Sequence, residues 1–75
     1  MKKVSKLKIF FVENQVPQKE LAQQSGVGVT SLHYMINEKR ATNKTLNRVV
    51  TCLKETYGIT TTFEALKEMM LTDQG

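Results

Sequence analysis

Apolar residues recur at helical spacing in five separate stretches of the chain. These stretches are residues 4–14, 18–25, 29–37, 43–57 and 62–71. The clearest stripe is Leu46, Val49, Val50 and Leu53, which follows the i, i+3, i+4, i+7 pattern of a helix with one buried face. The 75 residues suffice for one small domain. We therefore expect a single all-α domain over residues 1–75, built as a compact bundle of five short helices.

Proline and glycine indicate where the helices are interrupted. Pro17 disfavours a helical residue before it, which separates the first two helices. Gly26 stands where the chain must turn sharply, and glycine reaches positive φ without a steric penalty. Gly58 is placed to end the fourth helix in the same way.

Hydroxyl side chains predict two helix starts. Thr42 or Asn43 is expected to cap the fourth helix. Thr61 and Glu64 have the spacing of a capping box at the start of the fifth helix. Residues 72–75 follow the last apolar position, and we expect them to be frayed.

The second and third helices form a closely linked pair. Leu21 and Ala22 are the apolar spot of the second helix, and Leu32, Met35 and Ile36 repeat along the third. Two helices joined so tightly cannot bury both apolar faces against each other alone. They must rest on a third element, which leaves one face of the third helix free. In helix-turn-helix proteins that free face enters the DNA major groove.

The segment QKELAQQSGVGVTSLHYMIN resembles the phage-repressor-like helix-turn-helix family, also called the Cro or XRE family. The resemblance covers roughly residues 7–53. The matching positions are Gln18, Glu20, Leu21, Ala22, Gly26, Val27, Leu32, Met35, Asn37, Lys39 and Arg40. The resemblance implies a lambda-repressor-like DNA-binding fold with the motif at residues 18–37. Pro17, Ser25 and Glu38 differ from the usual cap, core residue and glycine of the family.

The resemblance also implies roles for individual residues. Gln18 would touch a phosphate and brace the recognition helix. The exposed recognition positions would be Gly28, Val29, Thr30, His33, Tyr34 and Asn37.

The chemistry of these positions suits contact with DNA. Thr30 can donate or accept a hydrogen bond, and Val29 can touch a thymine methyl group. His33 has one donor and one acceptor, and Tyr34 and Asn37 can reach the sugar–phosphate backbone. The alternative for Tyr34 is packing against the bundle. Because the face lacks Arg and Gln, we expect modest direct readout and a contribution from DNA shape.

Basic residues follow the proposed recognition helix. Lys39, Arg40, Asn43 and Lys44 resemble the phosphate-contacting stretch of the family. The net charge of the chain is +4, and it is unevenly distributed. Ten basic and three acidic residues give residues 1–54 a charge of +7, whereas one basic and four acidic residues give residues 55–75 a charge of −3. Double-stranded DNA is the expected partner of the basic part.

The last predicted helix carries a second apolar face. Its apolar residues are Phe63, Leu66, Met69 and Met70. We expect this face to form a homodimer, which would place two recognition helices about 34 Å apart, one turn of DNA. The alternative is that the helix folds back and completes the core of a monomer.

The composition argues against other classes of protein. Cys52 is the only cysteine, so an intramolecular disulfide cannot form, as is usual in a reducing cytoplasm. We expect it to be a small, partly buried hydrophobic residue. One His and one Cys do not make a usual zinc site, and no Gly-rich phosphate loop is present. We therefore expect no enzyme activity, metal or cofactor. No apolar run reaches 18 residues, so we expect no membrane span.

Two functions from different classes remain open on the sequence. The first is a small Cro-like transcriptional regulator, a repressor encoded by a phage or mobile element, that acts by occupying an operator. The second is a helix-turn-helix module that binds protein, such as an antirepressor or a partner of another regulator. The basic residues Lys39 and Arg40 favour DNA, whereas exposed Val29 and Tyr34 favour protein.

Overall fold

The computed structural model describes residues 4–74, and five α-helices account for most of them. In chain order they are α1 (Lys6–Glu13), α2 (Gln18–Ser25), α3 (Val29–Asn37), α4 (Asn43–Tyr57) and α5 (Phe63–Leu71). The prediction of an all-α architecture with five helices is confirmed. One short addition is an antiparallel ladder between β1 (Val4–Ser5) and β2 (Asp73–Gln74). Lys2 and Lys3, which belong to the ten basic residues of residues 1–54, lie outside the described residues, as does Gly75 of the predicted frayed end.

The two ends of the chain meet at this ladder. Helix α1 was expected to begin at Val4, but Ser5 is extended (φ −65°, ψ 149°) and caps the helix, accepting a hydrogen bond from the Lys8 N–H. The Lys6 N–H donates to the Thr72 carbonyl over 2.9 Å. The prediction of fraying is therefore wrong for residues 72–74. The first N–H groups of a helix need acceptors from outside it, and the Lys6 N–H of α1 has its acceptor near the other end of the chain.

The remaining helix ends follow local chemistry. Gly26 (φ 74°) and Gly58 (φ 67°) are left-handed and end α2 and α4, as predicted. Thr42 caps α4 by accepting from the Thr45 N–H. The predicted capping box at Thr61 is wrong, because the neighbouring Thr62 caps α5 and accepts from the Ala65 N–H at 3.1 Å.

The core is a single cluster to which all five helices contribute buried side chains. Helix α4 is central, since it packs against both α2 and α5, while α5 also packs against α1. The predicted core residues Leu21, Leu32 and Met35 are fully or almost fully buried. Cys52 is buried too, as expected, and its thiol donates to the Thr56 hydroxyl at 3.7 Å.

Helix α5 docks on its own chain, which corrects the predicted dimer face. Leu66 is 0% exposed and Met70 is 3% exposed, and both belong to the core cluster. Phe63 and Met69 are half-buried against the same cluster. Intramolecular packing on α1 and α4 covers the apolar side of α5, so Leu66 and Met70 are not available to a partner. Leu71, which was not predicted, is 52% exposed at the end of the helix.

No helix in the described part of the chain combines the length and the hydropathy that crossing a membrane requires. The longest of them, α4, has 15 residues.

Candidate nucleic-acid interface

Helix α3 has one buried and one exposed face. Leu32, Met35 and Ile36 are buried. The five predicted recognition residues of this helix are exposed: Val29, Thr30, His33, Tyr34 and Asn37. At 3.6 residues per turn, those five positions span an arc of about 140° on one side of the helix. The structure therefore exposes on one surface of α3 the five side chains that were predicted to face DNA.

Three hydrogen bonds hold the link between α2 and α3. The Ser25 hydroxyl donates to the Ala22 carbonyl at 3.4 Å and accepts from the Val27 N–H at 3.3 Å. The guanidinium of Arg48, on α4, donates to the Gly26 carbonyl at 3.4 Å. Ser25, which differs from the apolar residue usual in the family, thus satisfies backbone groups inside the turn. These bonds fix the direction in which α3 leaves the turn.

Gly28 has a structural role that the sequence reasoning missed. It precedes α3 with φ 91° and ψ 147°, a region of backbone conformation that is essentially restricted to glycine. From the sequence, Gly28 was predicted only as an exposed recognition position. Two glycines separated by one residue were the available signal, because each marks a place where the backbone needs positive φ.

The starts of α2 and α3 differ from the starts of the other helices. Hydroxyl side chains of Ser5, Thr42 and Thr62 cap α1, α4 and α5. Pro17 and Gly28 precede α2 and α3, and within the described residues neither start has a side-chain cap. The first N–H groups of these two helices are thus left to water or to an external acceptor. Such groups, with the positive end of the helix dipole, favour an anion.

Asn37 holds the imidazole of His33 in place. Its Nδ2 atom lies 3.2 Å from the His33 carbonyl oxygen and 3.1 Å from His33 Nδ1. A carbonyl oxygen can only accept, so the amide NH₂ faces both atoms. In the His33 tautomer with its proton on Nε2, Nδ1 accepts from this amide and Nε2–H is left to donate elsewhere. Asn37 was expected to reach the DNA backbone, and in this structure its side chain contacts His33 on the same helix.

Tyr34 is largely exposed and does not pack inside the bundle. Its side chain is 47% exposed, and its ring contacts the His33 ring edge-on with centroids 6.2 Å apart. Val29 is 59% exposed at the start of the same helix. The two apolar members of the predicted recognition face therefore remain open to a partner.

A tight basic loop follows α3. The Tyr34 carbonyl accepts from the N–H groups of both Glu38 and Arg40, at 2.9 and 3.2 Å. Lys39 completes the turn with φ 55°. The left-handed residue is therefore Lys39 and not Glu38, although the family usually has its glycine at the position of Glu38. Lys39 is half-buried and Arg40 is exposed. The loop leads directly into the start of α4, where Asn43 and Lys44 are exposed.

Gln18 is the first residue of α2 and is exposed. Among residues 4–74 no hydrogen bond joins its side chain to α3, and its role at a phosphate stays a prediction. The side chain nevertheless lies at the uncapped start of α2, where an anion is favoured.

A side-chain hydrogen bond also joins α2 to α4. The Tyr57 hydroxyl donates to Glu20 Oε1 at 2.9 Å. Desolvation by burial, and then the hydrogen bond and negative charge of Glu20, raise the pKa of Tyr57 to about 12. This bond joins the end of α4 to the first turn of α2, and it was not predicted from the sequence.

Nowhere among the described residues do three His, Cys, Asp or Glu side chains come close enough together to hold a metal ion.

Comparison of the chain with family models, with curated proteins and with solved structures finds no match.

Proposed function

We propose that this protein is a sequence-specific DNA-binding transcriptional regulator in which α2 and α3 form a helix-turn-helix. The observation that carries the proposal is the continuous exposed face of α3, which adjoins an uncapped helix start at one end and the basic loop at the other. Helix α3 would lie in the major groove, with its first residues closest to the base edges.

Phosphate groups would supply the acceptors that the starts of α2 and α3 lack. Gln18 and Lys19 at α2 are exposed beside N–H groups that no side chain caps. On the other side of α3, the side chains of Lys39, Arg40, Asn43 and Lys44 would contact the DNA backbone near the start of α4. Phosphate contacts on both sides would fix the register of the recognition helix.

The readers on α3 would combine polar and apolar contacts. His33 Nε2–H is suited to a base or phosphate acceptor, and Thr30 can hydrogen-bond or touch a thymine methyl group. Val29 offers apolar contact alone. The face has neither Arg nor Gln, so sequence-dependent DNA shape would add to specificity.

Regulation would follow from occupancy of an operator. We propose a cytoplasmic Cro-like repressor of phage or mobile-element type, controlled by its own concentration or by another regulatory protein. A homodimer remains part of the proposal, because one recognition helix reads only one half-site. Since Leu66 and Met70 are in the core, the dimer contact would have to use other surface.

Selection of binding sites from a random duplex pool tests the function. The purified chain is incubated with the pool at low salt, and the recovered DNA is sequenced. A short recurring motif supports the proposal. Recovery of sequences indistinguishable from the starting pool would contradict specific recognition.

A second function is supported by the exposure of apolar side chains on α3. Val29 and Tyr34 are both about half exposed or more, which suits a protein partner as well as DNA. Absence of DNA binding even at low salt would favour this protein-interaction module, such as an antirepressor.

A further inference from the structure

A groove of about 680 Å³ lies between the end of α3, the basic loop and the last turns of α5. Its walls include Tyr34 from α3, Arg40 and Ala41 from the loop, and Lys67 and Leu71 from α5. The volume falls in the range of sites that hold a small ligand or a few side chains of a peptide. The groove adjoins the proposed DNA surface but extends away from it onto α5.

The groove gathers exposed apolar surface. Four large hydrophobic residues in the described part of the chain are strongly exposed, and two of them, Tyr34 and Leu71, line this groove. Ala41 and the edge of buried Met70 extend the apolar wall between them. Apolar surface that is clustered in a concavity, rather than scattered, marks a binding site.

The charge of the groove has one sign. Lys39, Arg40 and Lys67 line it, and among its described lining residues there is no carboxylate. The Lys67 ammonium also lies 5.9 Å from the centre of the Phe63 ring, which holds it near the surface of α5. Three cations around an apolar floor complement a ligand that is acidic and also carries an apolar group.

We infer that this groove binds an acidic peptide segment with an aliphatic or aromatic anchor. The anchor packs between Tyr34 and Leu71, and carboxylates of the segment lie against Arg40 and Lys67. A peptide fits better than DNA because a sugar–phosphate backbone carries no aliphatic or aromatic side chain that could cover Leu71. Lys67 and Leu71 lie on α5, outside the residues proposed to contact DNA.

The same segment competes with DNA, and this part of the inference rests on the proposed function. Lys39 and Arg40 belong both to the groove and to the proposed phosphate contacts. One cation cannot neutralise a phosphate and a carboxylate of separate ligands at full strength, so occupancy of the groove weakens DNA binding. An acidic partner thereby releases the operator.

The probe is a fluorescein-labelled synthetic peptide rich in Asp and Glu with a central pair of leucines. Fluorescence anisotropy with the full chain measures its affinity. One comparison peptide replaces the leucines by serine, and another replaces the acids by their amides. We expect both comparison peptides to bind at least about tenfold more weakly, because each lacks one half of the recognised chemistry. Equal binding of the serine peptide would overturn the anchor site, since attraction by charge alone would explain it.

Substitutions then locate the site. Lys67→Gln and Leu71→Ser should each weaken the acidic peptide several-fold and leave binding of a DNA duplex unchanged. The matched controls are Lys54→Gln and Val12→Ser, exposed residues outside the groove, which should have no effect on either ligand. Thermal unfolding of each variant verifies its fold. Peptide affinity unchanged in both groove variants would overturn the inference. Sedimentation showing that these variants abolish a dimer instead would assign the groove to a second copy and would also overturn it.

Competition separates this inference from the proposed function. If DNA binds and the peptide displaces it, both stand. If the peptide binds and no DNA binds, the groove stands and the DNA function fails. If DNA binds and the peptide does not, the groove inference fails alone.

Discussion

In the proposed function, sequence selectivity depends on the side chains of Thr30 and His33. Both are exposed near the start or middle of α3, and both present hydrogen-bonding groups to a partner. Selective readers contribute to binding of the correct site more than to binding of other DNA.

Replacing either reader should therefore reduce specificity. We expect Thr30→Ala and His33→Ala each to weaken the preferred site by about 1–3 kcal/mol and random DNA only slightly. The matched control is Ser31→Ala, because Ser31 is exposed on the same helix but lies outside the 140° arc of the five predicted recognition positions. Band-shift titrations on both kinds of DNA give the two affinities. Equal losses on both would assign the two residues to the backbone instead.

Tyr57 should make stability depend on alkaline pH. Its pKa is raised from about 10 to about 12, so between these values the folded chain keeps a proton that the unfolded chain releases. Unfolding therefore becomes easier as pH rises through this window, and the contribution of Tyr57 is fully present only below about pH 10.

Tyr57→Phe isolates this effect, because phenylalanine has no such proton. Urea unfolding, followed by circular dichroism, should show that the stability difference between wild type and Tyr57→Phe becomes smaller from about pH 8 to about pH 11. A difference that does not change with pH would mean that the Tyr57–Glu20 hydrogen bond is not formed in solution.

At the scale of elements, the basic loop and the start of α4 form one unit. Thr42 caps α4 while the Tyr34 carbonyl closes the loop, so the cations are presented by a fixed backbone. A fixed backbone reduces the entropy lost when these side chains contact phosphates.

Removing charge from this loop should weaken binding to every DNA sequence alike. We expect Lys39→Ala and Arg40→Ala each to lower the slope of log affinity against log salt by about one unit, because each releases one fewer counterion. Lys54→Ala, an exposed lysine in the last turn of α4, is the control and should leave the slope unchanged. Unchanged slopes in both loop variants would remove the loop from the DNA surface.

The helix bounds were best predicted where proline or glycine clearly interrupts the helical pattern. The predicted bounds of α2, α3 and α4 agree with the structure. Pro17 marks the start of α2, and Gly26 and Gly58 mark the ends of α2 and α4. The cap of α5 was wrong by one residue, since Thr60, Thr61 and Thr62 are identical in local chemistry. The terminal ladder was missed because it joins segments almost the whole chain apart, and helical periodicity contains no information about such pairing.

At the scale of the molecule, the docking of α5 decides how the core is completed. The periodicity of Phe63, Leu66 and Met70 showed an apolar face but not whether its partner was the same chain or another. The structure covers this face intramolecularly. The exposure of the five positions on α3 was easier to predict, because they lie opposite a buried face that the sequence defines.

Core and surface positions of α5 should differ sharply in stability. Leu66→Ala removes a fully buried side chain and should destabilise the fold by about 2–5 kcal/mol, whereas Leu71→Ala should change stability by less than about 1 kcal/mol. Urea denaturation measures both, and sedimentation is run beside it. Unchanged stability in Leu66→Ala together with loss of a dimer would return this helix to an intermolecular role.

The central claim is that α3 reads a DNA sequence. Its most direct test is equilibrium binding of the wild-type chain to a duplex recovered by site selection and to a shuffled duplex of the same composition, at one physiological salt concentration. We expect the selected duplex to bind at least about a thousandfold more tightly, the lower end of the range for specific regulators. Equal affinity for the two duplexes would contradict the claim.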